Sequence, residues 1–264
     1  MKSLSISKVF MLISTLLLSN CSANGPAKIE IFTEYGNIEL ILYEKTPQHR
    51  DNFIKLVNEG FYNGILFHRV IKEFMIQGGD PNSKNAQPGA QLGMGGPAYT
   101  IPAEFVPEYI HKRGALAAAR TNNPLKASSG SQFYLVQGKV FTDAALDQVE
   151  VEIGTQYANQ LIPKFIAEEE EVMRRAGQTV LPDSAQMRAI RRASAWLREN
   201  PYRMPEEHRQ VYKTIGGTPH LDGEYTVFGE VVKGLEVIDK IAELETDDNS
   251  RPKIDVKIKR MRVK

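Results

Sequence analysis

The sequence predicts a mainly β domain, an antiparallel barrel or sandwich, interrupted by one helical insertion. Three observations predict it. Short apolar or alternating runs recur along most of the chain, separated by Gly, Pro and Asn turns. Only two short stretches within that pattern have helical spacing. One block of 75 residues, 140–214, contains no convincing strand.

Lys28–Phe32 and Asn37–Tyr43 flank the turn Glu34-Tyr35-Gly36 and read as a β-hairpin. Thr46-Pro47 starts a helix, with Thr46 as N-cap and Pro47 at the first helical position, where its fixed φ suits the turn. Phe53, Ile54, Leu56 and Val57 come next at helical spacing, and Gly60 ends the helix. Ile65–Ile71 and Phe74–Gln77 are expected strands, and the turn Gly78-Gly79-Asp80-Pro81 ends the second. Residues 82–100, rich in Gly, Asn, Pro and Gln, form a long ordered surface loop. Gly114–Ala119, Gln132–Val136 and Thr226–Val231 are further strands, Leu235–Leu244 a short helix, and Lys253–Val263 the last strand.

Between 140 and 214 the pattern changes. Glu170–Arg174 and Glu171–Arg175 stand four residues apart, as paired charges on a helix surface do. Pro182-Asp183-Ser184 opens a second helical run, Ala185–Glu199, ended by Pro201. Its apolar positions Met187, Ile190, Ala193, Ala195 and Leu197 cover a moderate stripe, so these helices must pack on the barrel or on another chain. Trp196, the only tryptophan, is the expected anchor. The expected organisation is a leader over 1–20, a linker over 21–27, and a domain over 28–264 interrupted at 140–214.

Composition narrows the function classes. Thirty-three basic and 32 acidic residues leave a formal charge of +1, against the basic excess of a nucleic-acid binder. The insertion carries 10 basic and 12 acidic residues, so it is not a basic arm either. A hydrophobic content of 42% with 25% charged residues reads as globular. One cysteine, Cys21, excludes an internal disulfide framework and a cysteine zinc cluster. The five histidines form no HExxH pair, so no metal site is expected.

The first twenty residues read as an export address. Lys2 and Lys8 precede the apolar run Val9–Leu18, too short to span a bilayer but suited to a signal sequence. Leu18-Ser19-Asn20-Cys21 resembles a bacterial lipoprotein lipobox, in which Cys21 would be acylated and become the mature N-terminus; Asn20 stands where a smaller residue is usual. The other reading is ordinary cleavage after Ser22-Ala23, which yields a soluble periplasmic or secreted protein. The expectation is a membrane lipoprotein facing the periplasm. Loss of the leader removes two lysines and no acids, leaving a formal charge of −1.

Three segments carry a signature. They are Phe67-His68-Arg69-Val70-Ile71 running on to Phe74-Met75-Ile76-Gln77-Gly78-Gly79-Asp80, then Gly114–Thr121 with Gly130–Val136, then Leu221–Val231. At these residues the chain resembles the cyclophilins, the cyclophilin-type peptidyl-prolyl cis–trans isomerases. The resemblance covers about 28–139 and 215–264. It implies a closed eight-stranded antiparallel β-barrel capped by two α-helices. It also implies an isomerase that needs no cofactor and no metal.

The chemistry of an Xaa-Pro bond suits those residues. Rotation is slowed by a barrier of about 18–20 kcal/mol from C–N double-bond character. Catalysis needs an apolar seat for the proline ring and a donor that bonds the amide nitrogen better when it is twisted than when it is planar. Arginine, always charged and with a rigid fork of donors, meets the second need. The resemblance assigns that role to Arg69, with Gln77 and Gln132 as polar partners of arginine and substrate. It places Phe74, Met75, Tyr134 and Leu221 in the proline pocket, and Ala119, Arg120 and Thr121 along the edge where an extended substrate lies. Tyr134 stands where phenylalanine is commoner, His220 where many members have tryptophan, and Tyr225 where many have histidine. The smaller, more polar His220 should weaken contact with large cyclic apolar ligands. The expected partners are proline-containing unfolded or extended polypeptides and a membrane reached through the lipid anchor, with no nucleic acid; the chain is expected to be a monomer. The leading reading is an isomerase assisting the folding of exported proteins. The alternative is a non-catalytic module that binds proline segments or docks partners through the insertion.

Overall fold

The computed structural model describes residues 26–264; the leader and Cys21 lie outside the described residues. In chain order the strands are β1 (Lys28–Phe32), β2 (Asn37–Leu42), β3 (Arg69–Ile71), β4 (Met75–Gly78), β5 (Thr100–Ile101), β6 (Ala115–Ala118), β7 (Ser128–Ser129), β8 (Phe133–Val136), β9 (Val227–Lys233) and β10 (Arg260–Val263). The helices are α1 (Pro47–Asn58), α2 (Asp143–Arg175), α3 (Pro182–Glu199), α4 (Glu206–Thr214) and α5 (Leu235–Ala242). Eight strands form one antiparallel sheet in the order β10-β1-β2-β9-β6-β8-β4-β3, and β5 pairs with β7 separately.

The hairpin β1–β2 shows how the pattern becomes register. Ile29 faces Leu40 and Ile31 faces Ile38, all fully buried, because a period of two sends every second side chain to the same face. Thr46 occupies the N-cap of α1, but its side chain caps nothing there. Glu104, 55 and 56 residues onward, accepts instead from the backbone N–H groups of His49 (3.0 Å) and Gln48 (3.1 Å). A carboxylate at this end also suits the helix dipole.

The sheet is an open, strongly curled half-barrel rather than the closed barrel expected. β3 and β10 are its edges, and no ladder joins them. The gap is crossed by single bonds from Gly64 N–H to Ile258 O (2.7 Å), Ile258 N–H to Ile65 O (2.8 Å) and Phe67 N–H to Val256 O (2.9 Å). The reason lies in the strands flanking the seam. The expected strand 65–71 pairs regularly only over three residues, and 253–263 only over its last four. Val70 N–H finds its acceptor in Ser250 of an irregular segment, so no strand lies against that edge.

α1 and α5 bury Phe53, Leu56, Val57 and Val237, Ile238, Ile241 in the same core as the inner face of the sheet. Phe53, Tyr62, Phe133 and Phe228 pack there, with edge-to-face contacts at 5.4–5.6 Å. β6 and β8 are buried on both faces, which is why they read as continuous apolar runs. Leu116, Ala118, Phe133 and Leu135 enter the main core, whereas Ala115, Ala117, Tyr134 and Val136 form a second cluster with Met75 on the opposite face. Phe74, Met75, Ala119, Tyr134, Leu221 and Tyr225, apolar and aromatic residues expected in the site, gather on that opposite face.

The block 140–214 is helical and holds three of the five α-helices; α1 and α5, outside it, match in number the two that the resemblance implied. The first half of α2 packs Leu146, Val149 and Ile153 with Met204 and Tyr212 of the α4 region into a third core. The second half pairs with α3. There the buried stripe is Ala185, Ala189 and Ala193, small residues that allow close approach, while Met187 and Ile190 face solvent. Trp196 is half-buried and belongs to none of the three cores. Leu197 instead lies against Gly154 of α2, where a Cβ would meet its Cδ1 at 2.9 Å.

Candidate active site

Strand register assembles the site. Across β3, β4, β8 and β6, Arg69 pairs with Gln77, Gln77 with Tyr134, and Tyr134 with Ala117. These residues form one row on one face of the sheet. Met75, two residues before Gln77, shares that face. Loops bring in Phe74, Leu221 and Tyr225. Arg69, Phe74, Met75, Gln77, Ala119, Arg120, Tyr134, Leu221 and Tyr225 surround a single pocket of about 110 Å³. Gln77, Ala119 and Arg120 continue into a neighbouring cavity of about 230 Å³ that Thr121 and Gln132 also line. His220 stands at the rim, exposed, with its ring stacked on Phe74 at 5.7 Å.

The two arginines differ in what holds them. Arg120 is clamped: its Nη2 lies 3.0 Å from buried Glu224, its Nε donates to the Glu224 carbonyl, and Lys126 shares the same carboxylate at 2.6 Å. Its guanidinium also covers the Tyr225 ring at 4.7 Å. Arg69 meets no carboxylate within 4 Å among the described residues; its Nη1 donates to the neutral Gln77 Oε1 at 3.3 Å. Burial pushes its pKa below the ordinary arginine value, yet arginine stays charged. A half-buried cation without a counter-charge, lining a pocket with Phe74, Met75, Tyr134 and Leu221, has unused donors for a ligand.

A relay of amides holds Arg69. Gln77 donates through Nε2 to Gln132 Oε1 (3.0 Å), and Gln132 donates to the carbonyls of Gly93 (2.9 Å) and Gly95 (2.7 Å). Asp80 organises that loop by accepting from the N–H groups of Gly93 and Gly95. Gly79 lets the two segments meet. Its φ is +95°, and a Cβ there would lie 2.2 Å from the Ser131 carbonyl oxygen.

Behind the pocket runs a buried polar chain that the sequence did not reveal. Tyr134 Oη lies 3.0 Å from His111 Nε2, and His111 Nδ1 lies 2.9 Å from Asp222 Oδ1. Asp222 also accepts from His111 N–H (2.9 Å) and from the Tyr212 hydroxyl on α4 (2.6 Å). The hydroxyl that distinguishes Tyr134 from the commoner phenylalanine thus has a partner. The departure at Tyr134 was the one available signal, but nothing in spacing pointed to His111.

His68, next to Arg69, is buried with neither ring nitrogen bonded to a protein group. Desolvation pulls its pKa down to about 4, with Asp80 opposing and Arg69 and Arg251 assisting. A folded pKa below the unfolded value means that the neutral ring stabilises the fold above about pH 6.5, and that this stability is lost as pH falls towards 4. We expect a loss of about 2 kcal/mol between pH 7 and 5, before most carboxylates titrate. His49, buried and likewise shifted down by desolvation, adds to the slope. Urea midpoints at pH 7, 6 and 5 test this. A flat profile would contradict it, and His68→Gln should flatten it in part.

The chain is similar to known proteins in sequence and in fold. The family model described as cyclophilin type peptidyl-prolyl cis-trans isomerase/CLD matches residues 28–157 and 195–263. The unmatched stretch, 158–194, is shorter than the insertion read from the sequence. A Streptococcus pyogenes protein provisionally named a bifunctional phosphatase/peptidyl-prolyl cis-trans isomerase is 34% identical over 245 residues, which is 90% of this chain but 39% of that protein. A Staphylococcus saprophyticus protein provisionally named a peptidyl-prolyl cis-trans isomerase is 29% identical over 244 residues, covering 90% of this chain and 93% of its own. In fold, the chain is similar to a Cryptosporidium parvum cyclophilin type peptidyl-prolyl cis-trans isomerase, with TM-score 0.52, 20% identity, and 91% and 98% of the two chains covered. With the family model matched on both sides of the helical hairpin, and the signature segments folded into one pocket, this chain belongs to the cyclophilin-type peptidyl-prolyl cis–trans isomerases, enzymes that rotate Xaa-Pro peptide bonds.

Proposed function

We propose that this isomerase acts on unfolded or extended polypeptides outside the cytoplasm, tethered to a membrane through lipid on Cys21, with Arg69 as its catalytic group. The observation that carries the mechanism is Arg69 itself: a half-buried guanidinium, without a carboxylate partner among the described residues, in a pocket walled by Phe74, Met75, Tyr134 and Leu221. The proline ring sits against Phe74, Met75, Tyr134 and Leu221, which hold it still by shape. The residue before the proline lies along Ala119, Arg120 and Thr121. As the amide twists, its nitrogen gains a lone pair, and Arg69 donates to it. The bond is stronger in the twisted state than in the planar one, so it lowers the barrier. Gln77 keeps the guanidinium oriented, and Gln132 keeps Gln77 oriented. A cis–trans assay on an Xaa-Pro tetrapeptide, with Arg69→Ala beside the wild type, tests the reading.

The tether rests on the sequence around Cys21. A single acyl chain binds membranes only marginally, whereas several chains on one cysteine anchor it stably. Mass spectrometry of the mature N-terminus is expected to find an acylated Cys21, and fractionation to place the protein with membranes. A soluble exported chain beginning at Asn24 would overturn the tether and leave the isomerase intact.

A further inference from the structure

Between the sheet and the helical block lies a cavity of about 360 Å³. Phe105 and Tyr109 form one wall, from the connection between β5 and β6. Tyr157 of α2 and Tyr202 of the α3–α4 link form the other, packed edge-to-face at 5.9 Å. Tyr225 closes the side towards the proline pocket and belongs to both spaces. The two sites are therefore adjacent, with Tyr225 as a shared wall.

The chemistry of the walls selects the ligand. Half of the lining residues are Phe, Tyr or Pro, and Val106, Ile110 and Val227 make most of the remaining surface apolar. Polar groups lie only at its edge: Asp222 accepts from His111 and Tyr212, Arg203 pairs with Glu150 at 2.9 Å while staying largely exposed, and His208 completes the rim. A space of this size, within the range of small-ligand pockets, admits one large apolar side chain with room to turn. Rings meeting at an angle offer edge and face contacts to a further ring, which favours an aromatic occupant over an aliphatic one.

We propose that this cavity is a second recognition subsite, taking an aromatic side chain of the same polypeptide whose proline occupies the groove. The inference rests on the reading of the groove as the proline site. Crossing one shared wall requires about two to four residues of extended chain, roughly 7–14 Å. The subsite therefore selects polypeptides with an aromatic residue a few positions from proline, and a tetrapeptide centred on its proline does not engage it.

The test uses the full chain, the Xaa-Pro tetrapeptide, and octapeptides with one proline and either Phe or Ala about three residues to one side or the other. For one of the two Phe octapeptides, kcat/KM should exceed that of its Ala counterpart by about five- to tenfold, the size of one aromatic contact. Tyr202→Ala and Tyr157→Ala should each erase that advantage while leaving the tetrapeptide rate within about twofold. Tyr202→Phe, which keeps the ring, should retain it. Equal rates for Phe and Ala octapeptides in the wild type, or an advantage that survives both alanine variants with unchanged Tm, would overturn the subsite. Absence of tetrapeptide turnover in the wild type would instead refute the groove. Calorimetry with a Phe octapeptide whose proline is replaced by alanine then decides the subsite alone. Binding weakened by Tyr202→Ala supports it, and binding that is absent or unchanged overturns it.

Discussion

Arg69→Ala is expected to lower kcat/KM for an Xaa-Pro tetrapeptide by about 10²–10³-fold, close to 3–4 kcal/mol, the contribution of one preorganised donor to a transition state. Several features of the site make this effect large. Among the nine residues around the pocket, Arg69 and Arg120 alone are cations, and Arg120 is held by Glu224. No other charged donor stands ready to replace the lost one. Arg69→Lys keeps the charge but loses the planar fork and the fit to Gln77, so it should recover only a small part of the rate. The fold should survive either change, because Arg69 lies on the edge strand β3 and its side chain bonds only Gln77. Progress curves of cis–trans conversion, beside circular dichroism of the same preparations, give the answer. Near wild-type turnover by folded Arg69→Ala would remove this residue from the mechanism.

Asp222→Ala is expected to cost the fold about 3–5 kcal/mol, since buried donors stripped of their acceptor each cost about 1–3 kcal/mol. The carboxylate accepts three bonds, two from His111 and one from the Tyr212 hydroxyl. His111 and Tyr212 are both fully buried, so they have little access to replacement water. Water entering from the adjacent cavity, which Asp222 lines, keeps the loss below the sum of the three. Tyr134→Phe should cost less, about 1–2 kcal/mol, because it leaves only His111 Nε2 unpaired. That outcome is the opposite of what the resemblance alone suggests, since phenylalanine is the commoner residue at this position. Urea unfolding of the three proteins at pH 7 measures both effects. A loss below about 1 kcal/mol for Asp222→Ala would show that the chain from α4 to the pocket adds little to stability.

Sequence alone determined most of the local elements and named the residues that line one pocket. Alternation made the β1–β2 hairpin legible, because a strand with one face buried must place apolar residues two apart. The signature segments named nine residues that the fold then gathered around one pocket, since strand register carries Arg69, Gln77 and Tyr134 into a single row. What sequence could not determine depends on contacts between distant segments. The cap of α1 comes from Glu104 rather than from Thr46, which occupies the expected position. The sheet stays open because an irregular segment, rather than a strand, lies against β3, and pairing across a seam is a property of two segments far apart in the chain. The buried stripe of α3 follows Ala185, Ala189 and Ala193 instead of Met187 and Ile190, because helix packing rewards close approach as well as hydrophobicity. The hydroxyl of Tyr134 was visible in the sequence, but its reason was not. His111, Asp222 and Tyr212 are scattered along the chain, and only the tertiary structure brings three polar groups together where water is excluded.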